Sequence, residues 1–428
     1  MAEGQDEFSF IKEKIKEKPI NKKRLMKQGA LTIGFAVIFG IVACFVFTFL
    51  RPIMENMLYP KEDPLISIPG DEPESEWQTE LSEEPLETEA VEETEEATET
   101  VIVKELELSD YQMLQNKIYA IGKEANRSVV TVTGVVSDTD WFNNSYESKG
   151  QASGIIIGDN GNELLILTEH KVVKDAGQIH VTFIDEGTVN AYLKKYDGNT
   201  GIAILSVPLQ DVKESTKGRI AYAALANSQT VEQGNIAIAI GSPLGTNYSI
   251  GTGNITSVGN VIQTTDATYT VFTTDIVGSS SSGVLLNLNG EVVGLVMQDY
   301  SGNGDDNTLT AIAISEVKKV IEMLSNGRDI PYLGLKVVAV TDNIAVEYGL
   351  PHGIYIKEVR LDSPAFAAGL QNGDVIVELG GKAVSTVEAY EAHVLSLEPG
   401  TITEIIVKRQ GMDEYLEVEY KVSAGILQ

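Results

Sequence analysis

Cysteine and histidine are scarce in this chain of 428 residues, and basic residues are far outnumbered. The single cysteine excludes an intramolecular disulfide and argues against a thiolate-ligated metal site. Only four histidines are present, they are scattered, and no phosphate-cradling glycine loop occurs, so neither a metal nor an organic cofactor is expected. The 32 lysines and arginines against 62 aspartates and glutamates give a net charge of -30, which argues against nucleic-acid binding.

An uncharged apolar run over residues 29–50 follows a lysine-rich segment, 1–28, and ends before Arg51. At about 1.5 Å per residue such a run spans the hydrocarbon core of a bilayer, and its basic flank predicts a cytoplasmic N-terminus. The alternatives are a cleaved signal peptide, for which the run is long, and acylation at Cys44, which the apolar residues after it disfavour. The sequence predicts a single-pass membrane helix with the remaining domains outside the cell membrane, as on a bacterial surface.

Residues 51–107 form an acidic segment of low complexity, without lysine or arginine between Glu62 and Glu99. Like charges with little apolar content cannot offset the entropy lost on ordering. The segment is predicted to be a disordered spacer, and an acidic binding tail is the alternative.

Short apolar runs separated by Gly, Asn and Asp turns follow, which predicts an all-β barrel or sandwich. The expected strands are 128–136, 152–158, 163–168, 178–183, 201–207, 235–241, 253–258, 269–274, 283–288 and 291–296. Helices are expected over 109–126 and 315–324. A loop of small hydroxyl residues, 278–283, precedes a hairpin signal at Leu288-Asn289-Gly290. That loop could present a serine nucleophile, which would need a histidine base, an orienting group and oxyanion donors.

Six motifs in sequence carry a resemblance to a known family. They are GIIIG at 154–158, ILTEHKVV at 166–173, DGNTGIAIL at 197–205, AIGSPLG at 239–245, GTGNITS at 251–257 and TTDIVGSSSSGVLLNLNGEVVGL at 273–295. In this order and spacing they resemble the HtrA-type serine proteases. The resemblance implies a mainly β fold: a trypsin-like domain over 108–327, with two six-stranded barrels and the active site in the cleft between them. It also implies a homo-trimer.

The resemblance places the nucleophile at Ser281 and an oxyanion N–H donor at Ser279. Glycine occupies the second of these positions in the family, and β-carbons restrict a backbone geometry that glycine permits. In the family, the serine is followed by Gly-Gly-Pro. In this chain Ser282 replaces the first of these glycines and Val284 replaces the proline. The loop before Ser281 is also about two residues shorter than the family's, so the oxyanion hole is expected to be impaired.

The base and the orienting acid depart further from the family pattern. Lys171 stands at the family's histidine position, with His170 one residue early, and a shift by one residue on leaving a strand can turn a side chain to the other face. Gly201 stands at the family's aspartate position, with Asp197 four residues earlier in a turn. A Ser-Lys dyad through Lys171 would need a buried, neutral lysine, which its charged neighbours do not suggest. The remaining histidines, expected to be structural or exposed, are His180, His352 and His393.

Residues 331–423 resemble a protease-type PDZ domain. In such domains the loop here formed by Tyr332, Leu333, Gly334 and Leu335 offers backbone N–H groups to a peptide's C-terminal carboxylate, while the peptide adds a strand to the sheet. A small domain that docks on the barrel without binding peptide is the alternative.

Two functions are consistent with these motifs. One is a membrane-anchored HtrA-like pseudoprotease that captures C-termini or exposed segments of proteins in envelope quality control or scaffolding. The other is an active endopeptidase that uses Ser281 with His170 as base and Asp197 as the nearby carboxylate.

Overall fold

The computed structural model describes residues 64–71, 107–139, 145–243, 245–278, 282–296 and 308–427, with scattered positions between Lys23 and Val46. The chain divides into two units, Met1–Asp63 and Pro64–Gln428. Every described position of the first unit is helical. Over the positions that are described, no helix is both long and apolar enough to cross a bilayer. The membrane helix over 29–50 therefore stays a prediction.

A closed barrel follows the helix α1 (Leu108–Ala125) and has the strand order β1-β2-β3-β6-β5-β4. Its strands are β1 (Val129–Thr139), β2 (Ser145–Asp159), β3 (Glu163–Glu169), β4 (Gln178–Thr182), β5 (Thr188–Tyr196) and β6 (Ile202–Pro208). The neighbouring strands β3 and β6 contain the apolar runs LLIL at 164–167 and IAIL at 202–205, and nearly every side chain in the two strands is buried. Short helices follow β3 and β6: α2 (His170–Val173) and α3 (Glu214–Lys217).

A second closed barrel has the order β10-β11-β12-β9-β8-β7. Its strands are β7 (Ile236–Ser242), β8 (Ser249–Gln263), β9 (Thr268–Val277), β10 (Ser282–Leu286), β11 (Val292–Val296) and β12 (Thr308–Ala313), and α4 (Ile314–Ser325) follows them. The predicted hairpin is confirmed: Asn287 Oδ1 accepts the N–H groups of Asn289 at 2.9 Å and Glu291 at 3.0 Å.

The sequence prediction missed the strands β5 and β12. In β5 most side chains are exposed or half-buried, so the alternation of apolar and polar residues that marks a strand is weak. Both strands are needed to close their barrels, because β5 joins β6 to β4 and β12 joins β11 to β9. The mainly β, two-barrel architecture itself is confirmed.

The C-terminal domain is built on a sheet with the order β14-β15-β16-β18-β19, so β14 is an edge strand. The strands are β13 (Pro331–Tyr332), β14 (Leu335–Ala339), β15 (Ile354–Val359), β16 (Val375–Leu379), β17 (Lys382–Ala383), β18 (Ile402–Gln410), β19 (Tyr415–Ser423) and β20 (Gly425–Ile426). The helices are α5 (Asp342–Tyr348), α6 (Pro364–Ala368) and α7 (Val387–Ser396). Buried Leu335, Ile356, Tyr390 and Val394 belong to its core, which lies between the sheet and α7.

Residues 64–71 correct the prediction of a disordered linker over 51–107. They lie against the two-barrel domain: the Asn326 side chain pairs with both backbone groups of Ile66, at 2.8 and 2.7 Å, and Ile66 and Ile68 pack on the apolar core. Lys318 forms a buried ion pair with Asp71. The prediction from composition missed this contact because Ile66, Ile68 and Asp71 contact groups that come together only in the folded two-barrel domain.

Candidate functional site

The predicted nucleophile Ser281 and the oxyanion residue Ser279 lie outside the described residues. The strand β10 begins directly after them, at Ser282. The buried Ser282 hydroxyl accepts the Ser153 N–H at 2.8 Å, which ties β10 of the second barrel to β2 of the first. The segment that carries the predicted nucleophile therefore leads into the junction between the barrels.

A cavity of about 30 Å³ lies in this junction, with room for roughly one water molecule. Ser153, Thr168 and Ser282 line it together with the buried Glu169, the last residue of β3. Of the three consecutive residues Glu169, His170 and Lys171, Glu169 lines this cavity and the other two do not.

The His170 imidazole packs on the first barrel. It stacks on the Tyr196 ring, with centroids 3.7 Å apart and planes inclined by 7°. Burial lowers the pKa of His170, the nearby Lys174 lowers it further, and Asp175 opposes them. These surroundings favour the neutral form of the imidazole, which lies against Tyr196 of β5.

The residue just before the family's base position is joined through the backbone to the family's acid position. The His170 N–H donates to the Gly201 carbonyl at 2.7 Å, which joins the start of α2 to the residue before β6. At the base position, Lys171 Nζ lies 2.5 Å from Glu169 Oε2 and the lysine side chain is 53% exposed. Gly201 has a φ of +72°, a conformation that side-chain-bearing residues other than Asn and Asp seldom adopt.

Asp197 is buried and satisfies its own turn. Its carboxylate accepts the Thr200 hydroxyl at 2.6 Å and the N–H groups of Asn199 and Thr200, both at 3.1 Å. Burial raises the pKa of Asp197, and these hydrogen bonds act in the opposite direction. The structure thus assigns this carboxylate to the turn that leads into β6, the role that aspartate has in many turns.

The predicted carboxylate-binding loop of the C-terminal domain holds a carboxylate. The N–H groups of Leu333 and Gly334 each donate to Asp266 Oδ2 at 2.7 Å, and the Leu335 N–H donates to Asp266 Oδ1 at 3.0 Å. The Tyr390 hydroxyl, from α7, donates to the same Oδ1 at 2.5 Å. Tyr332, the first residue predicted for this loop, instead lies in β13 and pairs with Gly425.

Asp266 belongs to the turn 264–267, which joins β8 to β9 in the second barrel. Burial raises its pKa, and the hydrogen bonds from Gly334, Tyr390, Leu335 and Leu333 oppose that shift. Burial and the Asp266 carboxylate together raise the pKa of Tyr390 well above its usual value. Sequence reasoning missed Asp266 because an aspartate in a hairpin turn is ordinary. The sequence signal for Asp266 was its position between two strands, which predicts a turn but does not predict the group that the carboxylate contacts.

Models of two protein families match the chain: the trypsin-like peptidase domain over residues 152–295 and the PDZ domain over residues 331–420. The serine protease Do-like HtrB of Bacillus subtilis is 31% identical over 315 residues, which are 67% of this chain and 67% of that protein. The chain belongs to the HtrA family of serine proteases. Its predicted family and two-domain order are thereby confirmed.

Other HtrA relatives match over similar lengths. The serine protease Do-like HtrA of Lactobacillus helveticus is 28% identical over 65% of this chain and 70% of its own length. The probable periplasmic serine endoprotease DegP-like of Pseudomonas fulva is 32% identical over 64% of this chain but 56% of its own length. The chain therefore spans little more than half the length of some curated HtrA relatives.

Solved structures of the HtrA-type protease AlgW share the fold. The one with a tripeptide has a TM-score of 0.52 at 24% identity, and it covers 72% of this chain and 97% of its own. The one with a decapeptide has a TM-score of 0.51 at 23% identity, with 72% and 98% covered.

Proposed function

We propose that this HtrA-family chain is a membrane-anchored pseudoprotease whose PDZ domain captures the C-termini of other proteins outside the cell membrane. Recognition would be its task, in envelope protein quality control or as a scaffold. The trypsin-like domain would serve as a rigid body that carries the PDZ domain.

The observation that carries the pseudoprotease proposal is the environment of the two residues at the base position. Lys171 is half-exposed and paired with Glu169, so it lacks the burial that a neutral lysine base requires. His170 is stacked on Tyr196, and Gly201 offers no carboxylate to orient an imidazole. Triad members act as a unit, so the loss of base and acid removes most of their joint effect.

Capture of C-termini is supported by the PDZ loop and by the edge strand beside it. Three consecutive N–H groups, from Leu333, Gly334 and Leu335, converge on one carboxylate. Because β14 lies at the edge of its sheet, an extended peptide can add to it as a further strand.

An active serine endopeptidase is the second candidate. The names of the relatives favour it, since those of Pseudomonas fulva and Chlamydia trachomatis are both called probable periplasmic serine endoproteases. In that case Ser281 would be the nucleophile, and His170 would have to leave Tyr196 to act as base.

A fluorophosphonate probe distinguishes the two candidates. We expect the purified full-length chain neither to be labelled nor to cleave unfolded casein, because base and acid are both missing. The Ser281→Ala variant should behave identically, and an active HtrA protease serves as the positive control. Labelling or cleavage that disappears in Ser281→Ala would overturn the pseudoprotease proposal.

The membrane anchor is supported by the basic segment before the apolar run, and the extracytoplasmic location by the periplasmic relatives. A carbonate wash of membranes from cells that express the full-length chain tests the anchor. Release of the chain into the supernatant would contradict a spanning helix.

A further inference from the structure

The Asp266 carboxylate occupies the place in the PDZ loop that a peptide's terminal carboxylate would take. We propose that Asp266 is a built-in competitor: it fills the carboxylate-binding loop, and a protein C-terminus must displace it to bind. This inference rests on the proposed capture of C-termini and adds its regulation. The competing group comes from the second barrel, 67 residues before Leu333 in the chain.

The contacts of Asp266 reproduce the two interactions by which a PDZ domain binds a C-terminus: capture of the carboxylate and backbone pairing with the edge strand. Its two oxygens accept the N–H groups of Leu333, Gly334 and Leu335, which is how a backbone loop captures a free carboxylate. Its own N–H donates to the Leu335 carbonyl at 2.6 Å, at the point where β14 begins. A residue that adds to the edge of a sheet makes the same kind of backbone hydrogen bond.

The loop is built so that an acceptor must be present. Leu333 and Leu335 are fully buried, and their N–H groups point at Asp266, so removal of the carboxylate without a replacement would leave buried donors unpaired. Gly334 takes a φ of +97°, and a β-carbon there would lie 2.1 Å from the Ser363 side chain. The loop therefore keeps its shape, and one carboxylate can replace another.

The hairpin that presents Asp266 is anchored on its other side. Asn199 donates its side-chain N–H to the Thr265 carbonyl at 2.6 Å, and the Thr264 N–H bonds to the Ala267 carbonyl at 2.8 Å. Because Asp266 is held by these contacts, binding of a peptide requires the PDZ loop and the hairpin to separate. The apparent affinity is then the intrinsic affinity multiplied by the fraction of molecules in which the loop is free.

Peptide binding to the full-length chain tests the competitor. The probe is a fluorescent pool of short peptides with randomised C-terminal residues and a free carboxylate, and its matched control is the same pool amidated at the C-terminus. The proteins are the natural chain, Asp266→Gly and Asp175→Gly. Asp175 is the matched control position because it has a φ of +59° beside +58° for Asp266, but it is exposed and lies in the first barrel.

We expect Asp266→Gly to bind the free-carboxylate pool about tenfold more tightly or better, while Asp175→Gly matches the natural chain. Equal affinities of Asp266→Gly and the natural chain would overturn the competitor and leave capture of C-termini intact. Absence of binding in all three proteins would overturn capture as well. An equal gain for the amidated pool would also overturn the competitor, because it would show that the free carboxylate is not what is recognised.

If Asp266→Gly does not fold, Asp266→Asn provides the second variant. Asparagine tolerates the left-handed backbone but replaces one acceptor oxygen with a donor group. We expect faster hydrogen exchange at the amides of Leu333, Gly334 and Leu335 and tighter binding of the free-carboxylate pool. Unchanged exchange together with unchanged affinity would overturn the proposal.

Discussion

At the scale of single residues, the His170 imidazole is the group whose role can be measured most directly. It stacks on Tyr196 of the first barrel, and its pKa is lowered by partial burial and by the nearby Lys174. A catalytic base would be expected to direct a ring nitrogen at its nucleophile. The stack therefore indicates that His170 stabilises the first barrel.

The variant His170→Gln is expected to change the pH dependence of stability. Because the folded state lowers the pKa of His170 from 6.5, the unfolded chain binds more protons, and stability is lost as the pH falls below 6.5. The variant should lose stability less steeply there. Above pH 6.5 it should be less stable by about 1 kcal/mol, since the stacked pair is lost. Urea unfolding over this pH range measures both effects, and identical slopes would contradict the assignment.

At the scale of elements, helix α7 connects the PDZ domain with the second barrel. Glu391 on α7 accepts hydrogen bonds from Thr268, the first residue of β9, and its Oε1 atom is buried without a hydrogen-bond partner in the described part of the chain. Burial raises the pKa of Glu391 to about 7, the hydrogen bonds from Thr268 oppose the shift, and Glu316 and Glu388 add to it. The adjacent residue of α7 is Tyr390, which contacts Asp266.

This environment predicts that the docking of α7 weakens toward neutral pH. The folded state raises the pKa of Glu391 from 4.5 to about 7, so the stability it contributes is complete below pH 4.5 and is lost as the pH rises to 7. The loss should be on the order of 2 kcal/mol, less than the full shift implies because the group is partly exposed. Glu391→Gln, which stays neutral, should remove this slope.

Chemical unfolding between pH 4.5 and pH 7 tests the prediction. Glu398→Gln is the control, since Glu398 is an exposed glutamate just after α7. If Glu391→Gln keeps the slope of the natural chain, then Glu391 does not titrate at the contact between α7 and β9.

At the scale of the whole molecule, the segment 64–71 packs against the two-barrel domain through residues that are distant from it in the sequence. Its ion pair between Lys318 and Asp71 is largely buried, with 9% and 11% of the two side chains exposed.

Removal of one partner of this ion pair should be costly. Lys318→Met leaves the Asp71 carboxylate buried without its cation, and we expect a loss of about 3 kcal/mol in the free energy of unfolding. The double variant Lys318→Met with Asp71→Leu should regain much of that loss, because no buried charge is left. A loss below about 0.5 kcal/mol in the single variant would indicate an exposed, weak pair.

The sequence by itself determined the family and most of the strands. Apolar runs form the centres of β3 and β6, and the Asn-Gly turn forms the hairpin after β10. The spacing of six motifs identifies the HtrA-type domain, and residues 331–423 identify the PDZ domain. These features depend on neighbouring residues or on the order of motifs along the chain, so they can be recognised without knowledge of the fold. Lys171 and Gly201 could be assigned to family positions for the same reason.

Only the tertiary structure decided which groups meet across the chain. Asp266 looks like a turn residue in the sequence, and its partners Leu333 and Tyr390 lie 67 and 124 residues away. The stack of His170 on Tyr196 and the packing of residues 64–71 likewise depend on surfaces that exist only after folding. Side-chain periodicity reports which face of an element is buried, but not which distant hydrogen-bonding group that face will meet.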